Sequence, residues 1–180
     1  MIDVTFITGN QNKADYFSKY LGFPVNHHKV DLDEIQSLDL REVVKHKLLQ
    51  AYDEIKSPVI VEDVSLEFEA LGRLPGTFIK FYVEEVPFET ICRTLDGLSR
   101  NATAKSIYGY YDGVSMAFFE SALKGTVADH PKGTSGWGWD KIFIPEGYTQ
   151  TRAELSVEQD KKTYLLIKPL GKLKAFLLNK

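Results

Sequence analysis

Cysteine is nearly absent from this 180-residue chain: Cys92 stands alone, so no intrachain disulfide can form and a reducing compartment is the expected home. With no local Cys/His signature around it, Cys92 is expected as a small buried apolar filler rather than a nucleophile. Positive charge is not in excess. The formal net charge is -3, which argues against non-specific nucleic-acid or membrane-surface binding. No apolar run approaches the ~20 residues that span a bilayer. The opening residues MIDVTFITGN carry an acid too early for a secretory leader, so a cytoplasmic protein is expected. The four histidines, His27, His28, His46 and His130, show no metal-ligand spacing. Repeats, low-complexity segments and linkers are missing too, and one domain over 1–180 is expected.

What is present is a core-forming composition, 43% apolar and 26% charged, in an α/β order. Ile2 to Ile7 reads as a strand stopped by Gly9-Asn10, followed by helical spacing of Ala14, Phe17, Tyr20 and Leu21 that ends at Gly22 and Pro24. Val25 to Val30 reads as a second strand. Asp39 is an N-cap for a helix running to about Ile55, and Pro58 opens a strand that ends in Glu62-Asp63. Ala102 to Tyr111 and Val114 to Lys124 flank Asp112-Gly113, a strong hairpin signal. Lys141 to Ile144 reads as a short strand. Ser156 starts one helix and Pro169 another.

Four segments are candidates for chemistry. "TGNQNK", Thr8 to Lys13, turns from strand into helix, where unpaired N–H groups and Lys13 favour an anion; the alternative is a plain polar turn, and the P-loop spacing is absent. Glu62 and Asp63 lie side by side at an expected strand end. They repel one another, so Mg²⁺, which takes hard oxygen ligands together with phosphate, is a natural partner; the alternative is a solvated strand end. Lys13, Lys47 and Lys80 come from separate segments, and Lys47 falls on the apolar side of its helix, where an ammonium needs an anion. "SGWGWDKIF" interleaves two tryptophans with Gly136 and Gly138. Trp139 reads as core packing, and Trp137 as a surface on which a base can stack.

In this order, "FITGNQNK", "DLDEIQ", "VIVEDVSLEFEALGRLPGTFIKFY" and "SGWGWDKIFIPEGYTQTRAEL" resemble the inosine triphosphate pyrophosphatase family, over positions 6 to 155. The resemblance implies a long mixed twisted sheet flanked by helices, two lobes around a central nucleotide cleft, and a homodimer. It implies Mg²⁺-dependent hydrolysis of non-standard purine nucleoside triphosphates to monophosphate and pyrophosphate. Carried over by position, Thr8, Gly9, Asn10, Lys13, Lys47 and Lys80 would bind the triphosphate. Glu34 and Asp63 would hold Mg²⁺, Asp63 would take the proton of the attacking water, and Glu62 would assist. Trp137, Gly138, Trp139 and Asp140 would wall the base and sugar. The chain departs from the family near its end. Where a lysine and a base-reading Ser-His-Arg motif are expected stands "DKKTYLLIKPL", with Tyr164, Leu165 and Leu166 in the motif's place and Lys161 or Lys162 as replacements for the lysine. Base preference is therefore open, and the alternative activity is nucleotide binding without turnover.

Overall fold

The computed structural model describes residues 4–180. One sheet of seven strands runs in the order β2-β1-β3-β5-β6-β7, with β4 paired to β3, and helices flank it. The chain forms two compact units. The first comprises the described residues through Asp63, Ser106–Glu120 and Lys168–Lys180; the second comprises Val64–Lys105 and Ser121–Ile167.

In the first unit, β1 (Thr5–Ile7) lies between β2 (Asn26–His28) and β3 (Val59–Phe68), parallel to both. Parallel pairs need crossovers. These are α1 (Gln11–Leu21) and a longer connection containing α2 (Leu40–Ile55). Asn10 caps α1 by accepting from the Lys13 N–H, and Gly22, at φ 81°, closes it in the left-handed region. Asp39 caps α2 as expected, accepting from the N–H groups of Arg41 and Glu42. Leu40, Val44, Leu48 and Ala51 of α2 pack on Ile7, Val59, Val61 and Ile107. The helix comes so close that a Cβ on Gly109 would lie 2.6 Å from both Leu48 and Val44 side-chain carbons. The hairpin of β5 (Asn101–Tyr111) and β6 (Met116–Val127) forms where Asp112-Gly113 predicts it. Its connection is longer than two residues, because Asp112 Oδ1 accepts from the N–H groups of both Val114 and Ser115. The last helix is α6 (Leu170–Leu178), with Pro169 at its N-cap position.

In the second unit, the elements include β4 (Pro75–Gly76), α3 (Ile79–Glu85), α4 (Phe88–Arg93), β7 (Phe143–Pro145) and α5 (Val157–Ile167). Its core joins Leu66, Phe68, Ile79, Ile91, Leu95, Ala104 and Phe143. Cys92 is fully buried in it, and burial pushes its thiol up to about 11, so it is the inert filler expected.

Several boundaries differ from the sequence reading. Ile2 and Asp3 of the expected first strand lie outside the described residues, and β2 is shorter than Val25 to Val30. The largest difference is β3, which does not end at Glu62-Asp63 but continues to Phe68. Leu66 and Phe68 carry the inward-facing alternation onward, and Leu66 and Glu67 pair antiparallel with Gly76 and Pro75. The two acids therefore sit in mid-strand rather than at a strand's mouth.

Candidate active site

The register Ile7↔Val61 sets the end of β1 level with the middle of β3, so Thr8 and Glu62 leave the paired segment together. Past β1 the chain turns: the Asn10 N–H donates to Thr8 Oγ1 at 3.1 Å, and α1 begins with its first N–H groups facing outward. Lys13, in that first turn, brings its Nζ to 3.3 Å from Glu62 Oε2. Lys168 Nζ donates to the other oxygen, Oε1, which also accepts from Ser106 Oγ at 3.3 Å. The Glu62 side chain is only 2% exposed. Burial on its own would raise its pKa, but the Lys13 and Lys168 ammonium groups outweigh it and hold the carboxyl at about 2. Glu62 is thus an ionised anchor for two lysines. A carboxylate that acidic is a weak base at neutral pH.

One residue along β3, Asp63 belongs to a second cluster. Lys47 is buried on the inner side of α2, and its Nζ lies 2.8 Å from Glu34 Oε1 and 2.7 Å from Asp63 Oδ2. Burial disfavours the ammonium, yet Asp63 and Glu34 more than offset that and raise its pKa. The apolar-face lysine has found the anions its position demands. Glu34 is placed by the segment before α2, which Gln50 ties down: its amide donates to Asp33 Oδ2 at 2.8 Å and its carbonyl accepts from the Asp33 N–H at 3.0 Å. Two carboxylates from distant parts of the chain thus converge on a single cation. Among the described residues, no group of three or more His, Cys, Asp or Glu could hold a metal. Mg²⁺ can bind through as few as one or two carboxylates plus substrate phosphates, and here the Glu34–Asp63 pair holds the Lys47 ammonium.

The tryptophan segment lies in the second unit. Its 3-10 turn, Gly138–Lys141, is closed by Asp140, whose Oδ2 accepts from the Trp137 N–H at 3.0 Å. Gly136, at φ +74°, lies so close that a Cβ there would be 2.5 Å from that oxygen. Trp139 packs edge-on against Phe143 at 5.4 Å, the core role expected of it, while Trp137 is half-buried. Asp140 Oδ1 accepts from Arg152 Nη1 at 2.7 Å, and Arg152 Nη2 donates to Asp160 Oδ1 at 2.5 Å. Both Arg152 and Asp140 are buried. Lys80, in the first turn of α3, and Lys161, on α5, are exposed.

Sequence reasoning missed two residues. Arg152 lies inside the matched "TRAEL" without a role, and its partners Asp140 and Asp160, 12 and 8 residues away, leave no local signal. Lys168 was passed over for Lys161. Only the break at Pro169 hinted that the chain changes direction there.

Known proteins bear on this arrangement. The Ham1 family model matches residues 4–176. The chain belongs to the Ham1 family. Among curated relatives, "Inosine triphosphate pyrophosphatase 2" of Trypanosoma cruzi is 38% identical, over 96% of this chain and 90% of that protein. The "Inosine triphosphate pyrophosphatase" of Yarrowia lipolytica is 35% identical, over 99% of this chain and 97% of the other. In fold, the Ham1 protein of Coxiella burnetii superposes with a TM-score of 0.85 at 18% identity, covering all of both chains. That of Staphylococcus aureus gives 0.80 at 24% identity, covering 98% and 99%. The seven-stranded mixed sheet flanked by helices is therefore the Ham1 fold, as expected from the resemblance.

Proposed function

We propose that the chain is a metal-dependent nucleoside triphosphate pyrophosphatase that releases pyrophosphate and a monophosphate from non-standard purine nucleotides such as ITP, dITP and XTP. The observation that carries the reading is the convergence of Glu34 and Asp63 on Lys47, next to Glu62 with its two lysines, in a Ham1 chain. The relatives' name, inosine triphosphate pyrophosphatase, supports the reaction and the substrate class.

Hydrolysis at the α-phosphorus adds a water oxygen and expels pyrophosphate, so negative charge grows on the non-bridging oxygens and on the leaving group. Thr8, Gly9 and Asn10 offer the turn's N–H groups, and Lys13, Lys47 and Lys80 offer ammonium groups, to that charge. Asp63 accepts the proton of the attacking water, and Glu62 keeps its lysines aimed. Glu34 and Asp63 would hold Mg²⁺, which when bound supplies charge stabilisation at the phosphate oxygens. Trp137, Gly138, Trp139 and Asp140 would wall the base and sugar. A homodimer in the cytoplasm, without nucleic-acid or membrane partners, completes the reading; sedimentation of the purified protein tests the dimer.

A second reading, nucleotide binding with altered base choice or no turnover, is favoured by one feature. Tyr164 is buried and Leu165 and Leu166 are exposed where the resemblance calls for Ser-His-Arg, so those base-reading donors do not occur there. Pyrophosphate release with Mg²⁺, at matched concentrations of ITP, XTP, dITP, dUTP and the four standard NTPs, decides between the readings. Fastest release from ITP and XTP supports the first. A different winner, or tight binding without release, supports the second.

A further inference from the structure

The backbone of Lys47 is fixed, because the 16-residue α2 packs through Leu40, Val44, Leu48 and Ala51 on Ile7, Val59, Val61 and Ile107. What can move is its flexible stem, and the side chain is 10% exposed. Its Nζ donates to Glu34 Oε1 at 2.8 Å and to Asp63 Oδ2 at 2.7 Å. Those carboxylates come from the segment before α2 and from β3, and two like charges brought together need a cation between them. They are also the pair that the proposed function gives to Mg²⁺. A divalent cation takes carboxylate oxygens at about 2.0–2.1 Å, and at that range it repels an ammonium held by the same two oxygens. The ammonium then needs another anion, because a charge on a mostly buried stem is costly without one. Lysine suits such a change of partner, with three donors turning on a flexible stem where arginine has a rigid fork. Lys13 is placed differently: its carboxylate is Glu62, outside the Glu34–Asp63 pair.

We propose that Lys47 is an exchangeable cation: it holds Glu34 and Asp63 together in the metal-free protein, yields those oxygens to Mg²⁺, and passes to the phosphate oxygens of the substrate. The proposal rests on the nucleoside triphosphate reading above and deepens it by giving one lysine two successive partners. Mg²⁺ alone binds weakly, since it displaces an ammonium that has no phosphate to receive it. Metal and polyphosphate then favour the same position of Lys47, so each strengthens binding of the other.

The test is calorimetric titration of the full-length protein, first with MgCl₂ alone and then with inorganic pyrophosphate at one fixed, high MgCl₂ concentration. Wild type is compared with Lys47→Met, which keeps an unbranched stem without the charge, and with Lys47→Gln. Removing a competing charged hydrogen bond should tighten binding of MgCl₂ alone by about 10-fold. Removing the phosphate donor should weaken pyrophosphate binding by about 10- to 100-fold. Opposite signs are the signature. Unchanged or weaker MgCl₂ binding in the variants overturns the proposal, and so does pyrophosphate binding that matches wild type. Should neither variant fold, wild type alone decides: limited acetylation of Lys47, read by mass spectrometry, should rise with MgCl₂ and fall again once pyrophosphate is added. Labelling that MgCl₂ leaves unchanged overturns the exchange. Failure of the parent reading looks different: wild type then hydrolyses no nucleotide, whatever its metal affinity.

Discussion

At the scale of single residues, Glu62 and Asp63 are neighbours in one strand with opposite duties. Alternation sends them to different surroundings, Glu62 to a buried pocket with two lysines and Asp63 to the Lys47–Glu34 pair. Asp63→Asn keeps the shape of the side chain but removes the proton acceptor proposed above, so pyrophosphate release should fall by at least about 100-fold while the circular dichroism spectrum is unchanged. Near-wild-type release would remove Asp63 from the chemistry. Glu62 makes a different prediction, about stability. Its carboxyl is held at about 2 against an ordinary value of 4.5, so the folded state favours the ionised form. That stabilisation, on the order of 3 kcal/mol, is fully present above about pH 4.5 and is lost as pH falls toward about 2. Glu62→Gln in metal-free buffer should be less stable than wild type at pH 6, and the gap should narrow steadily from pH 4.5 down to pH 2.5. Parallel melting curves at every pH would contradict the lysine-held carboxylate.

At the scale of elements, the tryptophan turn is held by a buried brace rather than by its own glycines. Arg152 reaches back to Asp140 and forward to Asp160, with its Nε 3.4 Å from Thr163 Oγ1, so a turn, a 3-10 segment and α5 share one guanidinium. Removing one member of a buried ion network costs roughly 3–5 kcal/mol, and lysine cannot reproduce the planar fork. Arg152→Lys should therefore melt several degrees below wild type and raise KM for the nucleotide more than it lowers kcat, through a loosened Trp137. An unchanged KM ratio between ITP and GTP, together with an unchanged KM, would mean that the brace is structural only. Much of this organisation was legible beforehand. Asp39 announced α2, Asp112-Gly113 announced the hairpin, and Lys47 on an apolar face announced a buried anion. Each of these is a local signal with one dominant cause. The unread parts depend on distant partners: β3 outruns its acids because Leu66 and Phe68 find β4 and the core beyond. Helices α3 and α4 are too short for period counting. Lys168 could not be told from Lys161 or Lys162 until the bend at Pro169 chose which one faced inward.

At the scale of the whole molecule, ligand binding and folding are linked, because ordinary stability is small compared with the charge assembled at the site. Six ionised groups, Glu34, Lys47, Asp63, Glu62, Lys13 and Lys168, come from segments spread from the start to the end of the chain. Unfolding disperses them all, so a bound metal–polyphosphate can only favour the folded state. At a ligand concentration 100 times Kd the gain is about 2.7 kcal/mol. For a chain of this length that corresponds to a rise in Tm of about 5–11 °C. The expected pattern is a full shift with ITP and Mg²⁺, a smaller one with ITP and EDTA, and almost none with inosine and Mg²⁺. Wild type would be scanned quickly enough that hydrolysis is incomplete. An equal shift with inosine would locate the recognition in the base rather than the phosphates. An equal shift with and without Mg²⁺ would mean that Glu34 and Asp63 serve Lys47 alone, because a metal bridging them to the phosphates must add its own binding energy to the folded state.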